Sequence, residues 1–222
     1  MLITSSVVKI VNISGISSIN RIFVVPLPLR YEIMSRKEDI QNAVNVMREG
    51  GVILYPTDTV WGIGCDATNA DAVAKVYKIK QRDDSKALIC LVDSDARLQR
   101  YVRQVPNVAW DIFDLATKPT TVILEGAVNL APNLIAEDGS IAMRITHEDF
   151  SKELCYRFQK AIVSTSANIS GQPPAQNYQD IAPELLEAVD YVCFSRRNER
   201  KSHTPSSIIK LAQNGEVTII RK

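Results

Sequence analysis

Apolar residues recur with helical spacing at Ile40, Ala43, Val44 and Met47 and stop at Gly50-Gly51, which predicts an amphipathic helix. Ser35-Arg36-Lys37-Glu38 stands before it as a capping box, the Ser35 side chain taking the Glu38 amide while the Glu38 carboxylate reaches back. A strand is predicted at Val52–Tyr55. Ala72, Val73, Val76 and Lys80 then share one helical stripe, and Ala87–Val92 is a continuous apolar run suited to a strand covered on both faces. Ser94 is placed to cap a helix running through Val102, and Pro106 fits the first turn of another through Ala116. Further strands are predicted at Thr121–Leu124, Ile141–Ile145, Ala161–Ser164, Tyr191–Phe194, Ser207–Leu211 and Val217–Arg221. Helices are predicted at Glu148–Gln159 and Pro183–Ala188. Asn214-Gly215 between the last two strands marks a hairpin, because both residues tolerate positive φ. The alternation predicts an α/β fold: a single domain with a twisted mixed sheet flanked by helices.

Residues 1–33 lack this order. They carry Lys9, Arg21 and Arg30 against Glu32 alone, and Lys9 and Arg21 interrupt the apolar runs near Val7-Val8 and Ile22–Val25. No stretch reaches the roughly 18 apolar residues of a membrane span. A signal peptide's order of charge, apolar core and small cleavage residues is also missing. Low acidity and scattered serines fit a transit peptide loosely. The plainer expectation is upstream sequence ahead of a natural start at Met34, with the domain over 34–222. A chain beginning at Met34 is then expected to match the full chain in melting temperature and turnover. A loss of several degrees would show that Ile22–Val25 packs into the domain.

Composition narrows the function classes. The length of 222 residues suits one large domain, and 45% hydrophobic with 23% charged residues excludes disorder and disulfide scaffolds. A net charge of +1 exerts no global attraction on nucleic acid or membrane, so any site for a polyanion must be local. Cys65, Cys90, Cys155 and Cys193 are far apart and lie in apolar stretches. They read as buried free thiols in a reducing cytoplasm, with no metal or redox spacing.

Four polar stretches interrupt the predicted elements. Tyr55–Cys65 places two hydroxyls and a carboxylate where a strand ends, then glycines that permit close backbone approach; a hydrogen-bonded turn is the plain alternative. Lys78–Lys86 crowds basic side chains at a helix end, where they either complement the helix dipole or clamp phosphate, Arg82 through its planar fork. Ser164–Pro174 offers four hydroxyls and an amide as neutral donors for a carboxylate or phosphate. A serine nucleophile there would need a base, and the chain has only His147 and His203 and no Gly-x-Ser-x-Gly elbow, so no hydrolase triad is assigned. Arg196–Ser207 is basic and reads as a solvated loop, a phosphate lid or a nucleic-acid contact. Neither a Walker A nor a Gly-x-Gly-x-x-Gly run is present.

Together these stretches resemble the YrdC-type threonylcarbamoyl-AMP synthase family, in its short form, from about Gly50 to Arg221. Pro56–Gly64, Lys80-Gln81-Arg82 with Lys86 and Leu88, Ser140–Arg144, Ser164–Pro173 and Pro205–Ile209 with Arg221 are similar to its motifs and follow its order. Trp61, Ala87, Lys118–Thr121 and His147-Glu148 depart from its usual residues. The resemblance implies that L-threonine, bicarbonate or CO2, and ATP (carrying Mg²⁺) are joined into L-threonylcarbamoyladenylate with release of pyrophosphate. The product serves N6-threonylcarbamoyladenosine formation on tRNA in the cytoplasm, through a downstream threonylcarbamoyl transferase. It further implies catalytic roles for Lys80 and Arg82, and ATP contacts from Lys80, Arg82, Lys86, Ser140, Asn168, Gln176 and Arg221. L-threonine would meet Thr59, Arg144, Ser166, Ser206 and Ser207, with no metal-ligating residue and no membrane partner. The competing readings are a module binding tRNA or double-stranded RNA through the basic clusters, and a paralogue acting on another carbamoyl or threonylcarbamoyl-tRNA substrate.

Overall fold

The computed structural model describes residues 34–81, 88–200 and 203–222. Expectations placed on residues 1–33, on Arg82 and Lys86 and on Ala87 lie outside them. The first helix, α1 (Arg36–Arg48), carries the full capping box: the Glu38 amide donates to Ser35 Oγ at 3.2 Å and the Ser35 amide to Glu38 Oε2 at 2.9 Å. Its inner face is Ile40, Ala43, Val44 and Met47, as the spacing requires. Asp39 is buried beside them, and its carboxylate accepts from the Tyr191 hydroxyl and from the Phe194 and Ser195 amides at 2.7, 2.9 and 2.6 Å. Nothing in the periodicity announces that role.

Along the chain follow β1 (Ile53–Tyr55), β2 (Gly62–Gly64), α2 (Ala70–Lys80), β3 (Ile89–Val92), α3 (Asp95–Leu98), α4 (Asn107–Leu115), β4 (Thr120–Glu125), β5 (Ser140–Ile145), α5 (Asp149–Phe158), β6 (Ile162–Ser166), α6 (Pro183–Ala188), β7 (Tyr191–Val192), β8 (Ser207–Leu211) and β9 (Val217–Arg221). Among the described residues the nine strands form one sheet in the order β7-β1-β2-β6-β3-β5-β4-β8-β9. The pairs β1/β7, β3/β5 and β4/β8 are parallel and the other neighbours antiparallel, so the sheet is mixed, as expected. β3 and β5 lie near its middle, and Cys90, Leu91, Val92, Ile141 and Met143 are fully buried there.

Three elements differ from expectation. β2 falls in the polar stretch Tyr55–Cys65, where the pattern predicts no strand beyond Tyr55 because Gly-Ile-Gly has little intrinsic strand preference. It forms because β1 and β6 flank it, pairing Ile63 with Leu54 and Thr165. The sheet also explains Gly64: a Cβ there would lie 2.5 Å from the Val163 carbonyl and 2.7 Å from the Tyr55 ring. Gly64→Ala should therefore lose about 1–3 kcal/mol of stability through overpacking. Thermal denaturation checks this, and an unchanged midpoint would mean that β2 separates from β6 without cost.

The helix predicted through Val102 ends instead at Leu98. Ser94 makes no side-chain cap bond, and Val102 bridges to Ala127. The strand predicted over Tyr191–Phe194 is reduced to Tyr191–Val192 because side chains take the backbone groups that would extend it. Arg197 donates to the Val192 and Cys193 carbonyls at 2.6 and 2.8 Å, while Asp39 holds the next two amides. The Asn214-Gly215 hairpin forms as read, with Gly215 at φ +86°.

All four cysteines are buried and free, and burial pushes each thiol above its ordinary pKa. No helix among the described residues is long and apolar enough to cross a membrane.

Candidate active site

Three of the four polar stretches, Tyr55–Cys65, Ser164–Pro174 and the end of Arg196–Ser207, converge where β2, β6, β5 and β8 present their side chains on one face of the sheet. Thr59, Arg144, Ser166, Asn168, Ser206 and Arg221 line a cleft of about 360 Å³ there, floored by Gly62, Ile123 and Ala142. Each of these six was expected at a substrate. They come from five separate segments, and only the sheet order brings them together.

Arg144 projects from β5, buried to 3% exposure. Its Nη2 lies 2.9 Å from Asp58 Oδ1 and 3.4 Å from Thr59 Oγ1. The Asp58 contact is an ion pair without hydrogen-bond alignment, and Arg144 Nε has no hydrogen-bond partner among the described residues. A buried guanidinium left with an orphan donor can engage a further acceptor, and a carboxylate is the natural one. Burial raises the Asp58 pKa, and the Arg144 charge opposes that shift. Asp58 is absent from the residues expected at the site, although its place between Thr57 and Thr59 is a usable signal.

The turn carrying Asp58 and Thr59 is held internally. The Thr57 hydroxyl donates to the Val60 carbonyl at 2.7 Å and accepts from the Thr59 amide at 3.0 Å. On the opposite wall, Ser206 is buried, sharing a hydrogen bond with Thr121 at 2.8 Å, and its carbonyl accepts from Arg221 Nε at 2.9 Å. A bulge in β9 beside Ile208/Ile209 lets the adjacent Ile220 and Arg221 both reach the cleft, which regular alternation forbids. The Arg221 pKa is lowered, first by burial and then by the charge of Arg144. Two like charges facing one space favour an anion between them.

Lys80 departs from the surface cluster expected at the end of α2. It is 1% exposed, and its ammonium donates to the Ser166 and Asn168 carbonyls at 2.5 and 2.7 Å. Its own carbonyl accepts from the Ser170 amide at 2.8 Å. Lys80 thus underpins the serine-rich loop from within, in addition to whatever charge it lends the cleft. Asn168 donates to the Ile169 and Gln172 carbonyls, leaving Oδ1 unpartnered among the described residues.

The remaining expected residues are dispersed. Ser140 lines a neighbouring hollow with Asp138 and Lys210, which shares Ile123 and Ala142 with the cleft. Ser207 follows Ser206 on a strand and so turns to the other face, off the cleft wall. Gln176 is exposed beyond Pro174, also off that wall. The basic stretch at Arg196 is no solvated loop at its start: Arg197 stacks over Tyr178 and Phe194 at 5.0 and 5.4 Å, and Arg196 bonds inward. The described residues contain no group of three or more His, Cys, Asp or Glu side chains placed to hold a metal ion.

A mixed α/β sheet bearing hydroxyls and two guanidiniums on one face has the chemistry to take up a small anion. The family model Sua5_yciO_yrdC, described as "Telomere recombination", matches residues 45–222, and the chain belongs to that family. The threonylcarbamoyl-AMP synthase of Pseudoalteromonas translucida is 35% identical over 187 residues, which cover 83% of this chain and 98% of that protein. E. coli YciO shares the fold with a TM-score of 0.73 at 24% identity, over 85% of this chain and 90% of its own. P. abyssi Sua5, solved in complex with L-threonine, does so with a TM-score of 0.70 at 23% identity, over 80% of this chain and 52% of its own.

Proposed function

We propose that this chain is an ATP-using enzyme that joins L-threonine, bicarbonate or CO2, and ATP into L-threonylcarbamoyladenylate and pyrophosphate. The product is the precursor of N6-threonylcarbamoyladenosine in tRNA, and a downstream transferase consumes it in the cytoplasm. The observation that carries the reading is the pairing of Arg144 and Arg221 with the hydroxyls of Thr59, Ser166 and Ser206 around one cleft. Similarity to curated synthases over most of the chain supports it independently.

Once the threonine amine has become a carbamate, its oxygen attacks the α-phosphorus and pyrophosphate leaves. No protein nucleophile is needed; the residues align two anionic substrates and offset their charge. Arg144 holds the threonine carboxylate through the donors left beside Asp58, while Thr59, Ser166 and Ser206 surround the amino acid. Arg221, Asn168 and Ser140 meet the nucleotide, and Lys80, Arg82 and Lys86 are assigned to the triphosphate by the family resemblance alone. Ser207 and Gln176 have the weakest claim, since neither stands on the cleft wall or in the hollow beside it that Ser140 lines. Magnesium would enter with the ATP substrate and would offset phosphate charge there.

The test is incorporation of labelled bicarbonate into an adenylate that requires both threonine and ATP. Absence of that product under active conditions would reject the reading. An RNA-binding module predicts salt-sensitive RNA retention without turnover. Two of its basic residues, Arg196 and Arg197, are bound internally, which weakens it.

A further inference from the structure

Arg196 belongs to the basic stretch that the proposed reaction leaves without a task. It is a non-glycine residue at φ +63°, in the left-handed region that carries strain for L side chains. Its side chain is one-fifth exposed and bonds to the domain through Nη1 and Nε. Nη1 donates to the Thr57 carbonyl at 2.9 Å and lies 3.2 Å from Glu148 Oε1. Nε donates to Glu199 Oε2 at 2.8 Å.

Each partner leads to the cleft or to its scaffold. Thr57 begins the turn that supplies Asp58, the ion-pair partner of Arg144, and Thr59, which faces both Arg144 and the cleft. Glu148 caps α5 by accepting from the Phe150 and Ser151 amides at 3.0 and 2.8 Å, just beyond the strand that carries Arg144. Asp39 fixes the segment immediately before Arg196 through the Phe194 and Ser195 amides. The turn therefore has an outer fastening, anchored through α1, that is separate from its internal Thr57 bonds.

The geometry points to Arg196 as a positioning residue for the amino-acid end of the cleft: by holding the Thr57 carbonyl against the α5 cap, it sets where Asp58 and Thr59 meet Arg144. It touches no substrate and acts through that turn. The inference rests on the proposed reaction, and it concerns one substrate more than the other. The threonine site depends on the turn, whereas the nucleotide residues Arg221 and Asn168 are held by the Ser206 carbonyl and by Asn168's own loop.

The experiment compares the full chain with Arg196→Met and with Arg196→Lys, which keeps a donor for the Thr57 carbonyl. Three quantities are measured: KM for threonine, KM for ATP, and L-threonine binding by calorimetry without ATP. Arg196→Met should raise KM for threonine about tenfold and weaken calorimetric binding in step, with KM for ATP changed by less than about twofold. Arg196→Lys should recover part of the loss. Glu148→Gln, removing the charge at the other end of the fastening, should move the same two quantities in the same direction if Arg196→Met fails to fold. Equal rises in both KM values, or a lowered melting temperature with unchanged threonine affinity, would overturn the inference. A full chain that makes no adenylate would instead refute the function reading.

Discussion

Arg144→Lys is expected to raise KM for L-threonine by about tenfold or more, and KM for ATP by no more than about twofold. Arg144 already commits Nη2 to Asp58, so a bound carboxylate must use the other guanidinium donors. A lysine ammonium placed at the same position would be drawn to Asp58, with no second fork to offer. Losing one charge-assisted hydrogen bond costs about 1.5–3 kcal/mol, which is roughly tenfold to a hundredfold in affinity. Steady-state kinetics with each substrate varied in turn checks this. Equal weakening for both substrates would place Arg144 in the scaffold or at the nucleotide.

Lys80→Ala should reduce adenylate formation by about a hundredfold and also lower the melting temperature. A surface cation would cost a few tenths of a kcal/mol at most, but Lys80 is interior. Its removal strands the Ser166 and Asn168 carbonyls, at a cost of roughly 3–5 kcal/mol together. For a domain of this size that corresponds to roughly 6–20 °C. The loop from Ser166 to Gln172 then loses its support, and the cleft loses a wall. Arg82→Ala is expected to lose turnover to a similar degree. Turnover measured below both melting transitions separates chemistry from unfolding. Near-native turnover in the folded Lys80→Ala protein would end the catalytic assignment of this lysine.

The contrast between Lys80 and its neighbours shows where sequence reading stops. A run of Lys and Arg at a helix end reads as exposed charge, yet Lys80 occupies the same stripe as Ala72, Val73 and Val76, which the periodicity had marked as the inner face. The stripe marks the position as inward-facing, while the charge of the residue argues for the surface. Asp39 presents the same conflict on α1, where a carboxylate shares the face of Ile40 and Ala43 and satisfies two backbone amides and a hydroxyl. A buried charge is tolerated only when distant groups satisfy it, and those groups are named by the fold alone.

Local patterning determined what depends on near neighbours: the capped α1, the inner stripe of α2, the buried runs of β3 and β5, and the Asn214-Gly215 hairpin. It also delimited the polar stretches, because serines, threonines and arginines at strand ends disrupt any apolar period. Tertiary structure decided whatever depends on groups remote in the chain. Gly62–Gly64 became a strand only between β1 and β6, and Tyr191–Phe194 was cut short by Arg197 and Asp39. The β9 bulge turned Arg221 inward, and Ser206 rather than Ser207 reached the cleft. In each case the deciding partner is a backbone carbonyl, amide or charged group supplied by another element. Spacing along one segment holds no information about such a partner until the sheet order places it.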